Sequence, residues 1–347
     1  MKTLMAESQP QPAPAPMRTE TLLELRGLEV EYGYGELRTR AVDGIDLAIR
    51  PGEILGLAGE SGCGKTTVAG AVMQILRPPG HVVGGSILFR GEDLVGRKEK
   101  ELRKFRWRNV SMVFQSAMNA LNPVMRVGDQ FVDMMRAHEK ISKRKALASA
   151  ADVLDFVGID RQRLRSYPHQ LSGGMRQRVI IAMALSLKPE MIIMDEPTTA
   201  LDVVVQREIL QQVEALKQDF GFAVLFITHD VSLLLEFADR IAIMYAGEIV
   251  ESAPAAEVGE LPRHPYTQGL LESFPPLTGP RVRLKGIPGS PPDLRDPPSG
   301  CRFHTRCPHC LPDAIDLYRR QTTEKPVLRE IEPGHLVACH LVEEGGG

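Results

Sequence analysis

The sequence predicts an α/β fold, and three apolar runs lead to this prediction. The first ends near Ala58 and is followed by a glycine-rich stretch and then by an amphipathic helical pattern. The second ends at Asp195 and the third just before His229. Short apolar runs that alternate with helical patterns are typical of buried strands connected by helices. We therefore expect a sheet with polar side chains where its strands end.

Composition limits the classes of function. A chain of 347 residues is long enough for two or three domains. Its net charge of −2 lacks the basic excess expected of a nucleic-acid-binding protein, so we expect no nucleic-acid partner. No apolar run reaches the length that spans a bilayer, and residues 1–18 resemble a disordered Pro/Ala-rich lead-in more than a secretion signal. We expect a cytoplasmic protein whose membrane role, if it has one, runs through a partner.

The stretch from Gly59 to Thr66 fits the pattern G-x-x-x-x-G-K-[ST] without departure. Its glycines permit a tight turn whose backbone N–H groups surround phosphates, while Lys65 reaches the outer phosphates and the Thr66 hydroxyl is a magnesium ligand. A glycine turn that binds nothing is the alternative, but the lysine, the hydroxyl and the strand–helix context agree on a phosphate site. Cys63 is expected to contribute its backbone amide, with no redox role. The predicted nucleotide contacts of this loop are Gly59, Ser61, Gly62, Cys63, Gly64, Lys65, Thr66 and Thr67.

Two acids follow the second apolar run, in "PEMIIMDEP". An aspartate at the end of a strand beside a phosphate loop can hold the metal shell in a nucleoside triphosphatase, so Asp195 is a magnesium candidate. Glu196 is then placed to polarise the attacking water. Adjacent acids are otherwise a solvated strand end, and an isolated histidine such as His229 is more often structural. The apolar run before the acids and the proline after them favour the catalytic interpretation.

A second glycine turn, Ser172–Gly174, begins the last of several helical patterns between the phosphate loop and Asp195. A simple doubly wound domain needs a much shorter connection, so a helical insertion over about residues 116–187 is expected. A helix start of this kind can hold an anion. If the insertion projects from the core, this turn would face the triphosphate of a second chain arranged head to tail. The helical patterns are Glu99–Trp107, Val127–His138, Ser142–Val157 and Met175–Leu187.

The order of these motifs resembles the ATP-binding subunit of an ABC transporter, over roughly residues 20 to 340. A series of this length is far more specific than a single match. One departure is Met175, where a glutamine often follows the signature glycines. The matching motifs are Tyr32 as the adenine-stacking aromatic, Walker A at Gly59–Thr67, the Q-loop Gln115, the signature Leu171–Gln177, Walker B ending at Asp195–Glu196, the D-loop Thr199–Asp202 and the switch histidine His229.

The resemblance implies a P-loop NTPase core of RecA-like type, with an N-terminal antiparallel β subdomain and the helical insertion, over residues 19–258. It also implies ATP and Mg²⁺ as cofactors. Thr66, Gln115 and Asp195 would serve the magnesium ion, while Glu196 and His229 would be catalytic. The nucleotide contacts implied for the opposite subunit are Ser172, Gly173, Gly174 and Gln177, with Asp202 linking the two sites.

Two C-terminal stretches narrow the resemblance to one branch of the ABC transporter family. Arg263–Pro275 and Ile287–Pro308 resemble the C-terminal extension of oligopeptide/dipeptide import ATPases, which nickel and some oligosaccharide importers share; this assigns residues 259–347 to the extension. The implied partners are a second, related ATPase subunit, two membrane permeases and an extracytoplasmic solute-binding protein, with this chain on the cytoplasmic face of the membrane. The segment Gln115–Phe131, rich in methionine and small residues, would accept a permease helix; a core loop is the alternative. DNA-repair and translation members of the family differ by a long coiled coil or by two cassettes in one chain.

Four of the five cysteines lie in the last fifth of the chain. In a reducing compartment such clustering favours metal over disulfides, and four thiolates suit zinc or an iron–sulfur cluster. The subfamily resemblance favours [4Fe–4S], although the third cysteine there usually falls near Ala314–Tyr318. Reduced buried thiols that pack a small Cys-rich extension are the remaining alternative. The four candidates are Cys301, Cys307, Cys310 and Cys339.

Overall fold

The computed structural model describes residues 21–35, 38–115, 120–198, 202–273 and 286–344. Several sequence predictions fall outside these ranges. They are the lead-in 1–18, residues 116–119 of the expected permease groove, residues 199–201 of the D-loop and most of the proline-rich stretch before residue 286.

A four-stranded antiparallel sheet forms the N-terminal part, in the order β2-β1-β4-β5. β1 is largely buried on one side, since every second residue at its start and end faces the core, as expected of a strand with one covered face. This sheet confirms the expected antiparallel β region. Its strands are β1 (Leu23–Tyr32), β2 (Thr39–Ile49), β4 (His81–Phe89) and β5 (Glu92–Asp93).

The second sheet has eight strands in the order β11-β12-β10-β9-β3-β8-β7-β6. From β9 to β6 the neighbours run parallel. β3, β7 and β8 are buried along their whole length, which explains why they read as continuous apolar runs. The predicted α/β fold is confirmed. The strands are β3 (Ile54–Ala58), β6 (Val110–Val113), β7 (Met191–Asp195), β8 (Ala223–Thr228), β9 (Arg240–Tyr245), β10 (Glu248–Pro254), β11 (Arg329–Glu332) and β12 (His335–Val337).

Helices connect the strands and build the region between β6 and β7. There α3, α4 and α5 pack together, and Ser142 caps α4 by accepting a hydrogen bond from the Lys145 N–H. The treatment of residues 116–187 as a separate subdomain stays a prediction. The helices are α1 (Lys65–Val72), α2 (Glu99–Phe105), α3 (Val127–His138), α4 (Lys143–Phe156), α5 (Gly173–Leu185), α6 (Val203–Phe220), α7 (Val231–Phe237), α8 (Ala255–Glu260), α9 (Pro265–Glu272), α10 (Ile315–Thr323) and α11 (His340–Glu344).

The C-terminal segment continues the large sheet. β12 pairs antiparallel with β10, through Val337 opposite Glu251 and Leu336 opposite Ser252, and β11 pairs with β12. This pairing covers the edge that β10 would otherwise present to solvent. The sequence suggested a small unit after a linker, but these strands belong to the sheet that carries the phosphate loop.

Candidate functional site

The phosphate-loop candidate lies between β3 and α1, and backbone contacts enforce its glycines. A Cβ on Gly59 would lie 2.1 Å from the Met244 carbonyl oxygen, and one on Gly64 would lie 2.3 Å from that of Ala41. Both residues also have positive φ, +154° and +111°. Side chains are therefore excluded at both positions. Ser61, Gly62 and Thr66 are exposed at the loop surface, and Gly64 and Thr67 are half-buried.

Lys65 folds back onto its own loop. Its ammonium donates to the carbonyl oxygens of Gly59 at 2.7 Å and Glu60 at 2.9 Å, and it lies 3.7 Å from the Cys63 sulfur. Burial raises the pKa of Cys63 above its ordinary value, so this thiol stays protonated despite the nearby ammonium. The lysine thus closes the loop on itself, through bonds that phosphate oxygens can replace.

Thr66 and Asp195 meet at the candidate metal position. The Thr66 hydroxyl donates to Asp195 Oδ1 at 3.2 Å, across the end of β7. Asp195 is 1% exposed, and burial raises its pKa, with the Glu196 carboxylate adding to this effect and the Thr66 and Lys65 contacts opposing it. A hydroxyl and a carboxylate are oxygen ligands of the kind that Mg²⁺ takes, so this pair fits the ion.

Glu196 lies between two of the predicted side chains. Gln115 Nε2 donates to Glu196 Oε2 at 3.0 Å, and His229 Nδ1 lies 3.3 Å from Glu196 Oε1. Gln115 follows β6, Glu196 follows β7 and His229 follows β8, so the carboxyl ends of three parallel strands bring them together. Glu196 has φ +45°, an uncommon backbone conformation for a residue with a side chain. The structure therefore unites the carboxylate, the amide and the imidazole that the sequence grouped only by motif.

The second glycine turn begins α5. Ser172 is the N-cap, and its hydroxyl accepts from the Met175 N–H at 3.2 Å. Gly173 and Gly174 form the first turn, and a Cβ on Gly174 would lie 3.0 Å from Val205 of α6. Free N–H groups at such a helix start suit an anion.

Two further predicted contacts lie in different surroundings. Gln177 is 1% exposed, so its side chain lies inside the fold and not on the surface. Asp202 is exposed and caps α6 by accepting from the Val205 N–H at 3.0 Å. Both assignments stay predictions.

Tyr32, the predicted adenine-stacking residue, ends β1. Its ring is half-buried and packs on Gly80, where a Cβ would lie 2.5 Å from Tyr32 Cε1. Its neighbour Tyr34 is 73% exposed and stacks on His81, with the ring centroids 5.9 Å apart. The sequence argument passed over Tyr34, because no motif marks it.

Three residues at the phosphate loop could not be found from the sequence: Glu60 within the loop, and Tyr266 and Arg306, which contact it. Glu60, inside the loop, pairs with Arg306 and donates its backbone N–H to the Tyr266 hydroxyl. Both partners come from the C-terminal segment, more than two hundred positions away. No local pattern connects them, so only the fold reveals the contact.

The four C-terminal cysteines form no disulfide with one another. Each raises the pKa of another member of the group or has its own raised by one, so the four lie near one another. Burial raises the pKa of Cys301 to about 12, with further contributions from Cys339 and Cys307, and burial raises that of Cys339 to about 11. Within the described residues, no three of these sulfurs come within 4.8 Å of one another.

Among the described helices, none is both long and apolar enough to cross a bilayer.

A phosphate loop whose lysine and hydroxyl lie near a buried aspartate, followed by a glutamate held between glutamine and histidine, defines an ATP-binding cassette ATPase. Residues 42–199 match the family model described as ABC transporter, and residues 250–313 match that of the oligopeptide/dipeptide transporter C-terminal region. The chain belongs to the ABC transporter family, in its oligopeptide/dipeptide branch, and ATP hydrolysis is that family's activity.

Individual relatives agree with this placement. The probable peptide ABC transporter ATP-binding protein y4tR of Sinorhizobium fredii is 43% identical over 93% of this chain and 95% of its own length. The oligopeptide transport ATP-binding protein OppD of Escherichia coli is 40% identical, over 93% and 94%. Among solved structures, the dimeric ATP-binding cassette MJ0796 bound to ADP and Pi is 27% identical with a TM-score of 0.60, covering 67% of this chain and 98% of that one.

Proposed function

We propose that this chain is the ATP-hydrolysing subunit that drives import of oligopeptides or dipeptides through a membrane ABC transporter. The observation that carries the proposal is the meeting of Glu196, Gln115 and His229 at the sheet edge next to the Thr66–Asp195 pair. The peptide branch is supported by the C-terminal match and by relatives that bear peptide-transport names.

ATP binding begins with Lys65. Its ammonium exchanges the carbonyls of Gly59 and Glu60 for β- and γ-phosphate oxygens, which are stronger, charged acceptors. The loop N–H groups add further donors around the phosphates. Thr66, Asp195 and Gln115 would hold Mg²⁺, which, when bound, neutralises charge on the β- and γ-phosphates.

Hydrolysis then depends on the group around Glu196. Its carboxylate accepts a proton from the attacking water, and His229 orients that water beside the γ-phosphate. The Gln115 amide keeps the carboxylate in place through its 3.0 Å hydrogen bond. The protein contributes mainly position and charge, which is what phosphoryl transfer to water requires.

A second cassette completes the site. Its Ser172–Gly174 turn would cover the γ-phosphate from the opposite side, and Asp202 would connect the two nucleotide sites. Closure on ATP and release after hydrolysis would then move the attached permeases, which places this chain at the cytoplasmic face of the membrane. The partners in this proposal are a related ATPase chain, two permeases and an extracytoplasmic solute-binding protein.

Reconstitution tests the transport proposal. The chain and the products of its neighbouring genes are purified together in liposomes, and uptake of labelled dipeptides and longer peptides is followed with ATP inside. We expect peptide uptake that a Glu196→Gln complex cannot support. Uptake of nickel or an oligosaccharide in place of peptides would transfer the same ATPase role to another solute. ATP turnover without uptake of any of these solutes would favour a cassette ATPase outside transport.

We also infer that Cys301, Cys307, Cys310 and Cys339 hold a [4Fe–4S] cluster. Four cysteine thiols that influence one another electrostatically supply the donor set of such a cluster, and bound iron would stabilise the thiolates that burial disfavours. Iron analysis and visible absorbance of anaerobically purified protein test this. Protein with neither iron nor zinc, whose four thiols react quantitatively after unfolding, would show that they are packing residues.

A further inference from the structure

Glu60 lies inside the phosphate loop, and its carbonyl, its N–H and its carboxylate each have a hydrogen-bond partner. Its carbonyl accepts from Lys65 at 2.9 Å, its N–H donates to the Tyr266 hydroxyl at 2.9 Å, and its carboxylate pairs with Arg306 at 2.6 and 3.1 Å. Lys65 belongs to the loop, as does Cys63, whose N–H donates to the same carbonyl at 3.3 Å. The other two partners lie on α9 and just before Cys307, in the C-terminal segment.

Arg306 makes a two-pronged contact with Glu60 from a fixed position. The Arg306 side chain is 3% exposed. Its guanidinium lies 5.8 Å from the centre of the Tyr245 ring and donates through Nε to the Pro288 carbonyl at 2.8 Å. Burial disfavours its charge, but the Glu60 carboxylate outweighs this effect and raises the pKa of Arg306. A planar guanidinium that donates four hydrogen bonds specifies orientation as well as charge.

Tyr266, like Arg306, is fixed in position by burial and by contacts with its neighbours. Its ring is fully buried, 4.5 Å from that of Tyr245 and 5.4 Å from that of Phe303. His264 caps α9 by accepting from the Tyr266 N–H at 3.0 Å. Burial lowers the pKa of His264 to about 3, so its ring is neutral and Nδ1 can accept. The hydroxyl that meets Glu60 therefore has little freedom to move.

The charge of Glu60 explains why this support matters. A carboxylate inside a loop that binds a triphosphate repels its ligand, and the repulsion grows as burial removes the water that would screen it. Glu60 is 25% exposed at its side chain, so water screens it only in part. Arg306 neutralises the carboxylate by pairing with both of its oxygens.

We propose that Arg306 and Tyr266 are positioning residues for the phosphate loop: through Glu60, the C-terminal segment sets the affinity of the loop for ATP. This rests on the proposed ATP site at Lys65 and assigns the C-terminal segment a part in nucleotide binding.

A double-mutant cycle tests the proposal, with the dissociation constant of MgATP measured by equilibrium dialysis on the full chain. We expect Arg306→Met to weaken MgATP binding by about tenfold or more, because Glu60 is left charged and unpaired. The loss should shrink at high salt, as an electrostatic repulsion does. Adding Glu60→Gln to Arg306→Met should restore the constant to within about threefold of wild type, because the repelling charge is gone.

Arg302 offers a matched control. It is an 8%-exposed arginine of the same segment that pairs with Asp43 at 2.5 Å and Glu248 at 3.0 Å and donates to the Ala246 carbonyl, and none of these partners is Glu60. Arg302→Met should reduce stability but leave the MgATP constant near the wild-type value. Arg306→Lys keeps the charge without the fork, and should lose about threefold.

Tyr266→Phe is the second variant, in case Arg306→Met folds poorly. It keeps the buried ring and removes only the hydroxyl, so we expect about threefold to tenfold weaker MgATP binding, with a smaller loss of stability than in Arg306→Met, because only the Glu60 N–H is left unpaired. Unchanged constants in Tyr266→Phe and in soluble Arg306→Met, or an equal loss in Arg302→Met, would overturn the proposal. Wild-type protein that binds no MgATP would instead refute the proposed function itself.

Discussion

Glu196→Gln is the most direct test of the catalytic assignment, because the substitution changes one atom and keeps the shape. Glu196 accepts from Gln115 Nε2 at 3.0 Å and faces His229 Nδ1 at 3.3 Å. A glutamine can still accept the Gln115 hydrogen bond through its own Oε1. It cannot take a proton from water, so the loss isolates the base function.

The expected size of the effect follows from that role. A positioned general base contributes about 10²–10⁴ in rate, so kcat should fall by that factor, or about 3–5 kcal/mol in activation free energy. MgATP affinity should stay the same or rise, because one negative charge beside Asp195 is removed. A fall in kcat with unchanged affinity is the mark of an interaction made only in the transition state.

The assay is phosphate release by the complex assembled with its permeases, with MgATP binding measured on the same preparation. Glu214→Gln, an exposed glutamate of α6, is the matched control and should behave as wild type. If Glu196→Gln kept turnover within threefold of the control, the base would have to be another group and the reasoning from the Glu196 contacts would fail.

Three further outcomes are expected. Gly59→Ala should abolish MgATP binding, because its Cβ would lie 2.1 Å from the Met244 carbonyl oxygen; Gly62→Ala meets no atom within 4 Å and carries only the strain of φ +82°, so it should weaken binding less, and equal affinities by dialysis would contradict this. Burial raises the pKa of Asp195 in the folded chain, so folding loses stability as the pH rises from the unfolded pKa of this carboxyl through its folded pKa. Asp195→Asn removes this loss, so it should raise the nucleotide-free Tm at neutral pH while ending hydrolysis, and a lower Tm would oppose this. Ser172→Ala should remove a helix cap worth about 1 kcal/mol and weaken ATP-driven pairing of cassettes in sedimentation, and pairing equal to wild type would rule out its contact in trans.

Local sequence signals were sufficient for much of this molecule. The phosphate loop could be predicted because a loop that wraps phosphates needs glycines, a lysine and a hydroxyl at fixed spacing. The structure adds the reason for Gly59, since a Cβ there would lie 2.1 Å from the Met244 carbonyl oxygen. Asp195 could be placed at a strand end because the apolar run before it is buried along its length. Ser172 was recognisable as a helix start, and it caps α5.

Long-range contacts could not be predicted in the same way. The pairing of Glu60 with Arg306 joins positions 246 residues apart, and each residue alone reads as an ordinary surface charge. The addition of β12 to β10 depends on an edge that exists only after the sheet has formed. The burial of Gln177 was also not predictable, because its motif carries no signal that the packing of α5 encloses its side chain.

The dependence of Glu60 on Tyr266 and Arg306 has a consequence for biosynthesis. A ribosome releases the chain from its N-terminal end, so the loop of residues 59–66 emerges long before the two residues that brace it. Nascent or prematurely terminated chains would carry the whole loop sequence yet lack its brace, and would hold nucleotide weakly. Full affinity for ATP would then be acquired only near the end of translation, once Tyr266 and Arg306 have been added to the chain.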